Sequence, residues 1–156
     1  MATISLRSIN FSDRFIRHAN FLGELTPIVS ELDKNDATFE IVQGLADDRL
    51  ISFRSVNFPN YYLRHQDFRL KLQEGNPPLS GTQDRLFAED ATFFWRPGNS
   101  DVTASSFACF NFPNRFIRHR EFHLFIEPLG DAVSFQDSTF KIESGFIPPL
   151  APPVVN

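Results

Sequence analysis

The chain has 156 residues and a mass of 17.9 kDa, the size of one domain. Hydrophobic residues make up 42% and charged residues 22%, so the chain has enough apolar surface for a core and does not read as disordered. There are 15 basic and 19 acidic side chains, and the net charge of -4 argues against a general phosphate-backbone binder, so no nucleic-acid partner is expected.

Smaller signals set further bounds. Cys109 is the single cysteine, which excludes an internal disulfide. No run of 18 apolar residues exists, so no membrane span is expected. Residues 1–7 lack a basic stretch followed by an apolar one. They carry no signal-peptide pattern, so the expected location is the cytoplasm unless a leader has been removed. The outlier is phenylalanine, with 19 Phe against 2 Tyr and 1 Trp.

Taken in chain order, residues 5–21 read SLRSINFSDRFIRHANF. Within them, residues 15–18 are aromatic and β-branched and predict a strand. Residues 36–39 read D-A-T-F, and 37–42 alternate as a strand does, with Phe39 and Ile41 on one face. Both patterns then recur. Residues 52–68 read SFRSVNFPNYYLRHQDF, and 106–122 read SFACFNFPNRFIRHREF. Six of 17 columns hold the same residue in all three segments. The D-A-T-F block returns at Asp90 and, as D-S-T-F, at Asp137. Residues 69–73 also alternate, and the composition of 74–81 predicts an inserted surface loop. No window of 11 or more residues holds a 3.6 period, so strands are expected throughout, with little helix. Residues 147–156 carry four prolines and no charge, and read as an extended tail outside the core.

The chain therefore consists of three units of about 47 residues. One unit has no way to bury its own face, but three around an axis do, and closure removes exposed strand edges. The expected fold is all-β, a β-trefoil of three pseudo-symmetric four-stranded repeats. The repeats fall at about 4–50, 51–104 and 105–146, in a single domain spanning 4–146. Phe39, Phe93 and Phe140 are expected to point inward.

The pattern N-F-P-x-[RY]-[FY]-[IL]-R-H with D-A-T-F, in three copies, resembles the arabinofuranosidase-B-type arabinose-binding domain, carbohydrate-binding module family 42. Members of that family are β-trefoils that accompany arabinofuranosidases and hold arabinofuranose side chains of arabinoxylan or arabinan. The resemblance implies one pocket per repeat, pairing His18 with Asp36, His65 with Asp90 and His119 with Asp137. It also makes Phe15, Tyr62 and Phe116 candidate wall aromatics. The chain departs from the pattern at Ser138, at Ser12-Asp13 in place of Pro-Asn, and in having tyrosines at the aromatic pair only in the second repeat.

A sugar pocket needs a carboxylate that accepts from hydroxyls, a ring nitrogen, and an apolar wall, and Asp, His and Phe supply them. Two readings remain open for each residue pair. The Asp is a ligand or closes an Asx-turn onto the backbone, and the His is a ligand or a satisfied core histidine. Arg17, Arg64 and Arg118 precede the histidines, so they are expected on the opposite strand face and outside the pocket. Asn10, Asn57 and Asn111 read as turn formers. His119 and His123 stand about 13 Å apart on a strand, too far to share an ion. No catalytic motif, metal site or cofactor is expected.

The expected function is non-catalytic, lectin-like binding of an arabinose-containing polysaccharide or another glycan. The alternative is a stand-alone trefoil that uses one His/Asp pocket on a non-sugar ligand, as a small enzyme or an interaction scaffold.

Overall fold

Short alternating segments joined by tight turns build the molecule. The computed structural model describes residues 2–75 and 81–149. The first group of elements is β1 (Thr3–Ser8), β2 (Phe15–Ala19), β3 (Leu22–Thr26), α1 (Glu31–Asp36) and β4 (Phe39–Gln43). The second is β5 (Ile51–Ser55), β6 (Tyr61–Gln66), β7 (Arg69–Glu74), α2 (Gly81–Asp90) and β8 (Phe93–Pro97). The third is β9 (Ser105–Cys109), β10 (Arg115–Arg120), β11 (His123–Pro128), α3 (Ala132–Asp137) and β12 (Phe140–Ser144). The same order of three strands, a helix and a fourth strand thus runs three times. Most of the expected loop at 74–81, and the tail from residue 150, lie outside the described residues.

All twelve strands belong to one sheet. Pairings of β10 with β9, and of β7 with both β11 and β3, close it on itself. The hairpins β2–β3, β6–β7 and β10–β11 also pair with one another, at His123 with Glu24, Leu22 with Lys71, and Phe125 with Arg69. They form a three-part cap over the core.

The core is built from matching positions. Phe39, Phe93 and Phe140 are fully buried, as are Ile16, Leu63 and Ile117, and Leu6, Phe53 and Phe107. One column is unequal. Leu70 and Leu124 are buried leucines, but their counterpart is Gly23, where a Cβ would stand 3.2 Å from the Leu70 Cβ. The cap has room for two leucines, and the third position gives way.

Helix content is small, as expected, but the three helices themselves leave no periodic signal in the sequence. They have 6, 10 and 6 residues, too few turns for a 3.6 period to show. α1 and α3 start at capping boxes, Ser30 with Asp33 and Asp131 with Ser134, each satisfying two otherwise orphaned N–H groups.

Candidate functional site

Each helix ends on the aspartate of the D-A/S-T-F block, and the block itself explains why. The next residue, Ala37, Ala91 or Ser138, is buried and returns its N–H to Asp33, Phe87 or Ser134, closing the helix. Its carbonyl accepts from Ser5, Ser52 or Ser106 at 2.7 Å, and these are the invariant serines at the head of the long motif. The threonine then bonds back to the helix, Thr38 to Lys34, Thr92 to Ala88 and Thr139 to Phe135. Three residues, two of them the same in every unit, therefore aim one carboxylate.

That carboxylate is met by side chains from two units. Asn57 donates to Asp36 Oδ1, Asn111 to Asp90 Oδ1 and Asn10 to Asp137 Oδ1, each at 2.8 Å. The amide oxygen of the same asparagine faces a histidine Nε2: His18 at 3.0 Å, His65 at 2.9 Å and His119 at 2.9 Å. Since the amide nitrogen is committed to the carboxylate, the oxygen must accept, so Nε2 carries the proton and Nδ1 is the acceptor nitrogen. His and Asp approach to 3.5, 3.5 and 3.4 Å in the three sites. The other carboxylate oxygen is paired with Arg17, Arg64 or Arg118.

The walls are phenylalanines. Phe112 and Phe68 line the site around His65 and Asp90, a cavity of ≈ 440 Å³, with Leu86 at its side. Phe11, Phe122 and Val133 do the same around His119 and Asp137, in ≈ 430 Å³. At the first site Phe58 meets His18 edge-on at 5.5 Å, and Phe21 meets Phe58 at 5.6 Å. Phe21, Phe68 and Phe122 sit in the two-residue hairpin turns at φ 62°, 62° and 66°, a left-handed conformation that bulky residues avoid. Their carbonyls accept from Leu72, Ile126 and Leu25 of the next hairpin, which pins the turns. Arg115 stacks on Phe68, and Arg14 on Phe122, each at 3.7 Å.

Burial sets the electrostatics. His18, His65 and His119 are each 3% exposed, and loss of hydration pulls their pKa below the usual imidazole value of 6.5. The nearby aspartates oppose this shift without overcoming it. Each site thus presents a neutral imidazole beside a carboxylate with lone pairs to spare.

Comparison with known proteins shows the family. The sequence model of the Alpha-L-arabinofuranosidase B (ABFB) domain matches residues 4–142. The chain belongs to the ABFB domain family. A GH54 α-L-arabinofuranosidase soaked with a cyclic sulfate inhibitor is similar to this ABFB domain, with TM-score 0.81 and 29% identity over 94% of this chain and 31% of that one. An arabinofuranosidase complexed with arabinofuranosyl-α-1,2-xylobiose gives TM-score 0.81 and 28% identity over 93% of this chain and 31% of that one. The ABFB domain therefore spans about a third of the length of those structures. The BEL beta-trefoil is similar in fold alone, with TM-score 0.67 and 12% identity over 92% of each chain. A search of the curated proteins finds no match to this chain.

Within this ABFB domain the six paired residues come together as three His/Asp pairs. The three wall aromatics named from the resemblance do not join them. Phe15 packs on Phe146 at 4.9 Å and under Arg7 at 4.6 Å. Tyr62 is buried against Phe87, and Phe116 is absent from the lining of the His119 cavity. The reason is parity: each stands three residues before its histidine, and an odd spacing on a strand selects the other face. The arginines obey the same parity at Cα yet reach the site. Arg17, Arg64 and Arg118 curl over the strand, donating Nε to the histidine carbonyl at 3.2, 3.1 and 3.1 Å and an Nη to the aspartate. The asparagines, read as turn formers, are the bridge between His and Asp. The Asx-turn reading of the aspartates gives way, since their oxygens bond side chains. His123 meets Glu24 rather than His119.

Proposed function

We propose that this chain is a β-trefoil of three repeats, about 4–50, 51–104 and 105–146, acting as a non-catalytic carbohydrate-binding domain for arabinofuranose-type residues. The observation that carries the reading is the threefold His–Asn–Asp–Arg network walled by half-exposed phenylalanines. Each carboxylate oxygen takes one donor from the protein, and a carboxylate offers about four acceptor positions, so two remain for vicinal hydroxyls. The neutral His Nδ1 adds an acceptor, and the rings offer apolar faces to sugar C–H groups. The arabinofuranosyl-xylobiose complex of a structural relative supports the choice of sugar. The repeated element order and the similarity to a β-trefoil support the fold.

Each site would be shared between units. The His, Asp, Arg and one Phe come from one repeat and the Asn and a second Phe from the next, with Asn10 and Phe11 completing the third. Isothermal calorimetry with arabinoxylan and with methyl α-L-arabinofuranoside tests the reading. Heat of binding to both is expected, and no heat from a folded domain overturns it.

A further inference from the structure

The site of the second unit does not end at its rim. Arg64, Gln66 and Leu86 line the cavity around His65 and Asp90, and they also line a second cavity of ≈ 490 Å³. The second cavity adds Gln73, Arg85, Phe87 and Glu89. Its floor is held in place: Phe87 is 7% exposed, lies edge-on to Tyr62 at 6.4 Å and sits under the Arg64 guanidinium at 5.4 Å. Gly75 makes this packing possible, since a Cβ there would stand 2.2 Å from the Phe87 ring.

The compartment is particular to this unit. Counting back from the site aspartate, Phe87 occupies the position of Asp33 in α1 and Ser134 in α3. Both of those are capping-box residues, and Asp33 also pairs with Arg17 at 2.8 Å. In the second unit an aromatic ring takes that place, and Arg64 turns instead to Gln73 at 2.8 Å. Arg85 stands where the others have Glu31 and Ala132, and Glu89 where they have Asn35 and Gln136. Two amides, two guanidiniums and one carboxylate stand beside an aromatic ring, and with the Arg64 charge already met by Asp90 the remaining Arg85 and Glu89 balance. That lining suits a neutral, polyhydroxylated ring.

We propose that the second unit's site takes a two-residue glycan branch. The terminal furanose would sit in the His65/Asp90 pocket, and the neutral sugar that carries it would sit in the adjoining compartment against Gln73, Arg85 and Glu89. The proposal rests on the carbohydrate-binding reading above. It is tested in a domain whose other two sites are silenced, by Asp36→Asn with Asp137→Asn and separately by Phe58→Ala with Phe11→Ala, each checked for a cooperative melt. Calorimetry compares methyl α-L-arabinofuranoside with arabinofuranosyl-α-1,2-xylobiose. The larger glycan is expected to bind at least tenfold tighter. Arg85→Ala with Glu89→Ala, neither of which lines the His65/Asp90 pocket, is expected to erase most of that gain and leave the monosaccharide Kd unchanged. Equal affinities, or a gain that survives the double substitution, overturn the second compartment and leave the sugar-binding reading standing. Failure of the folded parent domain to bind either glycan overturns both.

Discussion

At the scale of the residue, the site holds groups that folding alone would not choose. A phenylalanine in the left-handed region costs roughly 1–2 kcal/mol. Phe122 offsets this by contact with Phe11 at 5.2 Å and Arg14 at 3.7 Å. Such contacts are worth about 0.5–1.5 kcal/mol and about 0.5–1 kcal/mol. Replacing Phe122 by Gly relieves the backbone and loses the ring, so stability by urea unfolding is expected to change by less than about 1 kcal/mol. Sugar affinity at the His119 site is expected to fall at least tenfold. A large loss of stability would mean that the ring is there for packing. The histidines carry a second prediction. Their folded pKa values lie below 6.5, so below that pH the unfolded chain binds protons that the folded chain refuses. The stability they allow is complete above pH 6.5 and is lost as pH falls toward the folded values. Calorimetric Tm is expected to drop from pH 7 to pH 5, and His119→Gln to reduce that slope by about a third. An unchanged slope would show that other groups set it. These residues were legible in sequence to different degrees. His, Asp and the invariant Ser stand out because three copies repeat them. The bridging role of Asn10, Asn57 and Asn111 does not, because each acts on the preceding unit in space.

At the scale of the element, strands were readable and helices were not. Alternation survives over five or six residues, whereas α1 and α3 are shorter than two full turns and declare themselves only through their caps. The wall aromatics failed for a related reason. Column alignment finds equivalent residues but carries no face, and only strand parity separates Phe15 from His18. α2 is the element where the units differ most, and its Phe87 packs on Tyr62 and Arg64 of β6 and against Gly75, just past the end of β7. Gly75→Ala puts a methyl group into the Phe87 ring, which must move, and with it the helix that carries Asp90. Overpacking of this kind costs about 1–3 kcal/mol. Hydrogen exchange is expected to quicken across α2 while the amides of α1 and α3 keep their protection. Uniform quickening across all three helices would place the strain in the common core instead.

At the scale of the whole molecule, the closed sheet makes the three sites mechanically dependent and chemically independent. They share the buried phenylalanines Phe39, Phe93 and Phe140, so a fault there reaches every site. Each nevertheless has its own carboxylate, imidazole and ring walls, and the network at His119 is assembled from the first and third units. Under the proposed carbohydrate-binding function, sites spread around one closed body let a polymer bearing many side chains occupy more than one. Linked binding of this kind raises apparent affinity by roughly 10²–10⁴ with no new contact. In the Asp36→Asn, Asp137→Asn domain, apparent affinity for arabinoxylan is therefore expected to fall roughly 10²-fold below the parent. The Kd of the surviving site for methyl α-L-arabinofuranoside should stay as it was. Pull-down on insoluble arabinoxylan, read beside calorimetry of the monosaccharide, separates the two quantities. If polymer affinity falls only threefold, in proportion to the number of sites, the sites act singly and the symmetry serves folding alone.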